Sequence, residues 1–215
     1  MILALAGPFD FQTPDVTLLV SAKMDIYRAA GFPDGSDGVA PATYVFPARN
    51  RQILIFSRVT GKWTCGHGVA PFGPDGTKEC PAVNIANPVG CFAAYSATDF
   101  QGAMVGMFLA DALPASAPRA SRFYVNDKSE GGMSTGLSSS RQRVAIYGPL
   151  IGQVFFIGDG LSGTNSGGNQ FFAVPDAATH LYLGYVDSCG PSSAVPGCYS
   201  GNQGTLTATF RLVAR

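Results

Sequence analysis

Apolar and polar residues alternate most regularly near the end of the chain, between Thr205 and Leu212. The apolar positions are Leu206, Ala208, Phe210 and Leu212, and the polar positions are Thr205, Thr207, Thr209 and Arg211. Successive side chains of a β-strand point to opposite faces. The pattern therefore predicts an antiparallel strand with one buried and one solvated face.

A second strand is predicted over residues 181–187, and it ends on a carboxylate. Four residues share one face of this strand: Leu181, Leu183, Tyr185 and Asp187. The two strands are joined by residues 188–204, which are rich in Gly, Pro and Ser and include two cysteines. A loop of this length inside a compact domain is usually functional or held in place by a cross-link.

The rest of the chain has the composition of an all-β protein. Hydrophobic residues make up 46% and charged residues 13%, with 27 Gly and 15 Pro, so turns are frequent and long amphipathic helices are not expected. We predict loops at residues 26–42 and 128–143, and one domain that spans residues 1–215. Further strands are predicted at residues 15–20, 51–59, 104–109 and 121–125, and on both sides of a glycine-rich turn within residues 153–174.

The charge balance limits the classes of partner. Fourteen basic and fourteen acidic residues cancel and are scattered, so nothing supplies the basic field that nucleic-acid binding needs. No apolar run approaches the roughly 20 residues of a membrane-spanning helix, so neither nucleic acid nor membrane insertion is expected. A weakly charged surface favours association, and we expect a homo-oligomer or a larger assembly.

The apolar start, residues 1–6, is either an N-terminal strand or the first segment left after removal of a leader.

Five cysteines, at positions 65, 80, 91, 189 and 198, indicate an oxidising compartment. Cys189 and Cys198 bracket the middle of the long loop, so a bridge between them is predicted. Cys65 is expected to pair with Cys80, or alternatively with Cys91. A zinc site that combines Cys65, Cys80 and Cys91 with His67 has no standard ligand spacing. These predictions place the protein outside the cell or at the cell surface.

Two glycine patterns suggest enzymes, but their surroundings do not. Residues 158–163 match a dinucleotide-binding pattern and residues 132–136 match a nucleophile elbow. Both chemistries need a helix directly after the motif, and the sequence predicts a hairpin and a loop instead. His67 and His180 are the only imidazoles, so a hydrolytic triad is poorly supported. We do not expect an enzyme.

The long loop could place Asp187, Asn202 and backbone carbonyls around one point. Calcium takes carboxylate, amide and carbonyl oxygens of this kind. Asp and Asn residues also commonly satisfy the backbone of turns. Spacing alone leaves both interpretations open.

Residues 152–210 resemble a known family. The segment Gly152-Gln-Val-Phe-Phe-Ile-Gly-Asp-Gly-Leu161 is followed by Val174-Pro-Asp-Ala-Ala-Thr-His-Leu-Tyr-Leu-Gly-Tyr-Val-Asp187 and by Pro196-Gly-Cys-Tyr-Ser-Gly-Asn-Gln-Gly-Thr-Leu-Thr-Ala208. Together these segments resemble the bacterial PA-I-type galactophilic lectins and related secreted bacterial proteins. The resemblance implies an antiparallel β-sandwich of jelly-roll type with long loops, and a bound calcium that contacts sugar hydroxyls.

The resemblance also implies specific ligands. Asp187 matches the strand-end Asp of the family, Asn202 matches the second Asn of its calcium segment, and Cys198 stands where the family uses a backbone carbonyl. Gly201 stands where the family has another Asn or an Asp, so one side-chain ligand is missing. Residues 190–195 are additional and could reshape or cover the site.

Three further residues complete the predicted site. A carbonyl at Trp63 or Thr64 would finish the calcium shell, and Tyr199 is the candidate aromatic residue beside a sugar. The function expected from the sequence is non-catalytic, calcium-assisted carbohydrate binding through Asp187, Tyr199 and Asn202. The alternative is a structural subunit of a surface layer or extracellular fibre that uses the same β-sandwich.

Overall fold

A computed structural model describes residues 12–31, 35–47, 52–66, 68–86, 92, 95–97, 101–111, 123–124, 146–163, 165–190 and 193–214. The strands in these ranges are β1 (Val16–Ser21), β2 (Ala42–Val45), β3 (Gln52–Thr64), β4 (Val83–Ile85), β5 (Tyr95–Ala97), β6 (Val105–Leu109), β7 (Phe123–Tyr124), β8 (Ile146–Tyr147), β9 (Val154–Phe156), β10 (Leu161–Gly163), β11 (Ser166–Asn169), β12 (Phe171–Ala173), β13 (His180–Gly184) and β14 (Gln203–Ala214). Two short 3₁₀ helices, Ile26–Gly31 and Tyr199–Gly201, accompany them. Within the described residues, no helix is long and apolar enough to cross a membrane.

Most of the strands form two sheets. The first has the order β1-β14-β3-β12-β8 and the second has the order β2-β13-β6-β9. The longest pairing joins β3 and β14, from Gln203 opposite Thr64 to Ala214 opposite Gln52, with a bulge between Thr209 and Phe210. The pairing of β8 with β12 is parallel, and this departs from the purely antiparallel sheets expected from the sequence. A hairpin, β10-β11, and a small sheet, β4-β5-β7, complete the described strands.

Aromatic rings from the two sheets meet in the core. Tyr44 of β2 packs edge-on against Phe210 of β14, with ring centroids 5.3 Å apart. Phe155 of β9 packs against Phe172 of β12 at 5.1 Å. The prediction of an all-β sandwich is confirmed. The alternation in β14 is also confirmed, because its apolar set is buried: Leu206, Ala208, Phe210 and Leu212.

Both faces of strand β13 are buried from Leu181 to Gly184. The backbone at Met24 packs against the end of this strand. A Cβ at Gly184 would lie 2.8 Å from the Met24 carbonyl oxygen, so only glycine lets the two backbones approach this closely. Tyr185 then pairs with Met24 and Ile26 through backbone hydrogen bonds. The close approach places the end of β13 against residues 24–26.

Two predicted connections contain regular structure. Residues 26–42, expected to be a loop, include the 3₁₀ helix Ile26–Gly31 and the first residue of β2, because β2 pairs with β13. The glycine-rich turn within residues 153–174 forms its own hairpin, β10-β11. The predictions for residues 1–6, 128–143 and 132–136, for His67 and for Cys91 lie outside the described residues.

Candidate functional site

The structure brings Asp187 and Asn202 together. Asn202 donates its side-chain Nδ2 to Asp187 Oδ2 at 2.9 Å. The other carboxylate oxygen of Asp187 accepts the backbone N–H of Ser188 at 2.7 Å. Asp187 is partly exposed, whereas Asn202 is fully buried. The segment that follows β13 and the residue that precedes β14 therefore meet at a carboxylate–amide pair.

The orientation of the Asn202 amide is fixed by its two acceptors. Nδ2 also donates to the backbone carbonyl of Ala22 at 3.2 Å, so exchanging the amide nitrogen and oxygen would lose both hydrogen bonds. The amide oxygen Oδ1 is buried and has no hydrogen-bond partner among the described residues. Leaving a buried acceptor without a partner costs about 1–3 kcal/mol. Asn202 thus presents an unsatisfied oxygen next to a carboxylate.

Tyr199 is fully buried, and this corrects its predicted role beside a sugar. Its ring has no open face for stacking because it lies inside the protein. The hydroxyl donates to the Tyr185 carbonyl at 3.3 Å and accepts the backbone N–H of Asp187 at 3.0 Å. Burial, together with the negative charges of Asp25 and Asp187, raises the pKa of Tyr199 well above its usual value. Tyr199 is therefore a neutral phenol, and its hydroxyl positions the backbone of Asp187.

The sequence analysis did not identify Asp37 as part of this region. Asp37 accepts the backbone N–H groups of Tyr199 at 2.8 Å and of Ser200 at 2.9 Å. Burial alone would raise the pKa of Asp37, but the hydrogen bonds from Ser200 and Tyr199 outweigh it and hold the pKa below its usual value. The signal for this residue is weak, because an Asp in a Gly- and Pro-rich stretch usually satisfies its own turn.

Asp25 is a second acid that sequence reasoning missed. It is fully buried, and it accepts the backbone N–H of Tyr27 at 2.8 Å and the Ser36 hydroxyl at 2.6 Å. A Cβ at Gly38 would lie 2.6 Å from the Asp25 Cβ and 3.1 Å from the Tyr199 ring. Asp25 and Gly38 therefore pack directly against Tyr199, in the turn that leads to Asn202.

The end of β3 reaches the same region. Thr64 pairs with Gln203, the neighbour of Asn202, and a Cβ at Gly66 would lie 2.8 Å from the Gly201 carbonyl oxygen. The Thr64 hydroxyl donates to the Val69 carbonyl at 2.7 Å. The two residues predicted to offer a carbonyl ligand to calcium, Trp63 and Thr64, thus lie on the strand that flanks Asn202.

Trp63 is held by its own contacts. Its backbone carbonyl accepts the Phe72 N–H at 2.9 Å, and one lone pair of a carbonyl oxygen remains after a single hydrogen bond. Its ring packs on Tyr185, with centroids 4.3 Å apart. This packing fixes the strand end against the segment that leads to Asp187.

The predicted Cys189–Cys198 disulfide is present, and Cys65 pairs with Cys80, one of the two partners that the sequence left open. Cys189 lies two residues after Asp187, and Cys198 directly precedes the 3₁₀ helix Tyr199–Gly201 in a left-handed conformation with φ 65°. A backbone hydrogen bond from Gly197 to the Asp187 carbonyl, 3.1 Å long, holds the loop ends together as well. The bridge and this hydrogen bond therefore join the two ends of the loop beside the candidate site.

The candidate site has only one charged side chain, Asp187, among its candidate ligands. Within the described ranges, no group of three or more His, Cys, Asp or Glu residues is arranged to hold a metal. Any cation here would depend on one carboxylate, one amide oxygen and backbone carbonyls. Calcium accepts such neutral oxygens, whereas zinc prefers thiolate and imidazole ligands.

No protein-family model matches this chain, and a search of curated proteins finds no match. The function is therefore inferred from the Asp187–Asn202 pair and its surroundings, together with the sequence resemblance.

Proposed function

We propose that this chain is a non-catalytic, calcium-assisted carbohydrate-binding protein whose ion lies between Asp187 and Asn202. The observation that carries the proposal is the buried Asn202 Oδ1, which lacks a hydrogen-bond partner among the described residues. It belongs to an amide whose Nδ2 lies 2.9 Å from Asp187 Oδ2. Calcium binds such oxygens at about 2.3–2.6 Å. A calcium ion coordinated by Oδ1 would remove the free-energy cost of leaving this buried oxygen without a partner.

The distances are compatible with a shared ion. The two heteroatoms of an amide are about 2.2 Å apart, so Asn202 Oδ1 lies no more than about 5 Å from the Asp187 Oδ2 that its Nδ2 contacts. Two oxygens on one calcium ion can be separated by up to about 5 Å. A carboxylate has about four lone-pair sites on its two oxygens, so it can bind an ion and accept hydrogen bonds at the same time. Carbonyls of Cys198 and of Thr64 or Trp63 are the remaining candidate ligands.

The burial pattern divides the roles. Asn202 is fully buried, so it serves the ion and does not contact a sugar directly. Asp187 is partly exposed, and a sugar hydroxyl would approach the ion from its side. With Gly201 in place of a ligand, the site has one charged ligand, and calcium modules of this kind bind at about 10⁻⁴–10⁻³ M.

We also propose that the protein is secreted or displayed at the cell surface. Disulfides persist in oxidising compartments, and two are present. Weak calcium sites are typical of extracellular modules. The two features point to the same environment.

The test is thermal unfolding of wild type and variants in calcium and in chelator. In 1 mM calcium, this range of affinity would stabilise wild type by about 0.4–1.4 kcal/mol, a shift of a few degrees. Asp187→Asn keeps the shape of the side chain and removes its charge, so the shift should disappear. Asp111→Asn is the matched control because Asp111 is exposed and lies beside His180, at the other end of β13. If wild type shows no calcium-dependent shift, the proposal is wrong.

Sugar binding is measured under the same conditions. A glycan array probed with wild type should show binding that is lost in chelator and lost in Asp187→Asn. Binding that persists in both would separate carbohydrate recognition from the calcium site.

The second candidate function is a structural subunit. The observation that favours it is the uncharged edge of the first sheet at β1, which is open in the part of the chain that the structure describes. Such an edge is suited to joining copies of the chain.

A further inference from the structure

Strand β1 is the longest edge strand of the two described sheets. Among the described strands, β1 pairs with β14 on one side and with no strand on the other. The other edge strands are shorter: β2 has four residues, β8 two and β9 three. Natural edge strands are usually protected by a charge, a proline, a bulge or a short length. β1 has six residues, none of them charged and none of them proline.

The outward face of β1 carries an exposed leucine. Leu19 is 64% exposed, the highest value among the large hydrophobic residues that the structure describes as exposed. Its neighbours on this face are Thr17 and Ser21, opposite Thr209 and Thr205 of β14. An exposed leucine at the centre of an open edge is a contact surface without a described partner in the same chain.

The segment around Leu19 can pair with an antiparallel copy of itself. Reading outward from Leu19, the face has Thr17 and Ser21. Asp15 precedes the strand at one end, and Lys23 follows it at the other end, in the turn that the Met24 N–H closes onto the Ser21 carbonyl; both are exposed. An antiparallel copy of the same segment would therefore bring the acidic end of each strand beside the basic end of the other. Among the residues that the structure describes, Asp15 accepts the Ser57 hydroxyl at 3.2 Å and lies 4.0 Å from Arg211.

We infer that the chain forms a two-fold symmetric dimer in which β1 pairs antiparallel with the same strand of a second copy, with Leu19 on the axis. Leu19 then packs on Leu19 of the partner subunit, and Thr17 faces the partner's Ser21. The Asp15 end of each strand lies beside the turn that carries the partner's Lys23. The two five-stranded sheets become one continuous sheet of ten strands.

A second copy suits this edge better than an unrelated partner. A two-fold interface uses the same patch on both subunits, and this segment is self-complementary in charge and in apolar position. The chain has a formal net charge of zero, so no long-range repulsion opposes association. Exposed ion pairs add little affinity, so the Asp15 and Lys23 pairs select the register while the backbone and Leu19 hold the strands.

Light scattering over a series of protein concentrations tests the dimer. Wild type should reach twice the mass of one chain. Leu19→Lys should remain monomeric, because it brings two ammonium groups together on the axis. Leu150→Lys should dimerise like wild type, since Leu150 is also exposed, at 48%, but lies outside β1. A monomeric wild type, or equal dimerisation of Leu19→Lys and wild type, overturns the inference.

Cross-linking and charge reversal test the register. Leu19→Cys should give a covalent dimer on a non-reducing gel, whereas Thr17→Cys should not, because its two copies would be about 13 Å apart along the strands. Asp15→Lys should weaken the dimer at least several-fold at low salt, and adding Lys23→Asp should restore it. Equal cross-linking at both positions, or no restoration by the second reversal, overturns the Leu19-centred pairing. None of these variants alters Asp187 or Asn202, so the outcome is separate from that of the calcium test.

Discussion

The backbone N–H of Tyr199 donates to Asp37 Oδ1 at 2.8 Å, although the two residues are 162 positions apart. The same carboxylate accepts the N–H of Ser200 at 2.9 Å. One side chain between β1 and β2 thus holds the turn that leads into Asn202. The position of the candidate site depends on this long-range contact as well as on its own loop.

Replacing Asp37 should loosen that turn. Asp37→Ala removes the acceptor of two backbone N–H groups, and the loss of a comparable helix-capping carboxylate costs about 0.5–2 kcal/mol. The free energy of unfolding, measured in urea at neutral pH, should fall by that amount. Asp176→Ala is the control because Asp176 is exposed in a turn. Equal losses in the two variants would contradict a specific role for Asp37.

The contribution of Asp37 should also depend on pH. Hydrogen bonds from Ser200 and Tyr199 hold the pKa of Asp37 below its usual 3.8 despite the opposing effect of burial. A carboxylate with a lowered folded pKa stabilises the fold above the usual pKa, and this stabilisation is lost as the pH falls through the folded value. The stability difference between wild type and Asp37→Ala should therefore be constant above about pH 5 and shrink as the pH falls below 3.8.

Tyr199 and Tyr185 form a matched pair for testing buried hydroxyls. Tyr199 OH bridges the Tyr185 carbonyl and the Asp187 N–H, so Tyr199→Phe should destabilise the protein by about 1–3 kcal/mol. The Tyr185 hydroxyl is buried without a hydrogen-bond partner among the described residues, so Tyr185→Phe should be neutral or slightly stabilising. Denaturant midpoints of the two variants give the comparison. A larger loss for Tyr185→Phe would contradict the assigned hydrogen bonds.

The strands could be predicted from the sequence because their signals are local. The alternation in β14 and the apolar runs of β1, β3 and β6 depend on residues two to six positions apart, and the structure has strands there. The disulfides were predictable for a related reason, since each bridge joins cysteines close in sequence, with separations of 15 and 9. The parallel pairing of β8 with β12 has no such local signal.

The contacts of the site were only partly predictable. Asp187 and Asn202 could be paired because they lie at the two ends of one loop. The interactions of Asp25 and Asp37 with Tyr199 join segments that are far apart in the sequence, 162 positions in the case of Asp37, and no periodicity encodes them. Tyr199 was misjudged for the same reason, because its burial comes from packing against Gly38 and not from an alternating pattern.

The two disulfides should differ in their response to reductant. Cys189 and Cys198 are both exposed, whereas Cys65 and Cys80 are each only 6% exposed. Thiol–disulfide exchange requires access of the attacking thiolate, so mild reductant should free Cys189 and Cys198 first. Alkylation followed by peptide mass spectrometry identifies the order. Earlier labelling of Cys65 and Cys80 would contradict it.

Removing the exposed bridge should also lower stability. The short loop that it closes corresponds to about 2.7 kcal/mol on the chain-entropy model. The double variant Cys189→Ser, Cys198→Ser should lose about that much free energy of unfolding. Wild type measured in reductant strong enough to open only this bridge should show the same loss.

Gly102 and Gly68 separate backbone strain from steric conflict. Both adopt positive φ, +70° at Gly102 and +77° at Gly68, so alanine at either position should cost about 1–2 kcal/mol for the left-handed conformation. A Cβ at Gly68 has nothing within 4 Å, whereas a Cβ at Gly102 would overlap the indole ring of Trp63. Overpacking a core usually costs a further 1–3 kcal/mol or so.

Gly102→Ala should therefore lower the free energy of unfolding by about 2–5 kcal/mol, and Gly68→Ala by about 1–2 kcal/mol. The Trp63 ring has little freedom to move away, because it packs between Phe72 and Tyr185, with centroids 4.8 and 4.3 Å from its own. A shift of this ring would displace Tyr185, whose carbonyl accepts the Tyr199 hydroxyl. Gly102→Ala should consequently weaken any calcium-dependent stabilisation, while Gly68→Ala should leave it unchanged. Equal losses in urea unfolding would mean that the indole ring moves aside without cost.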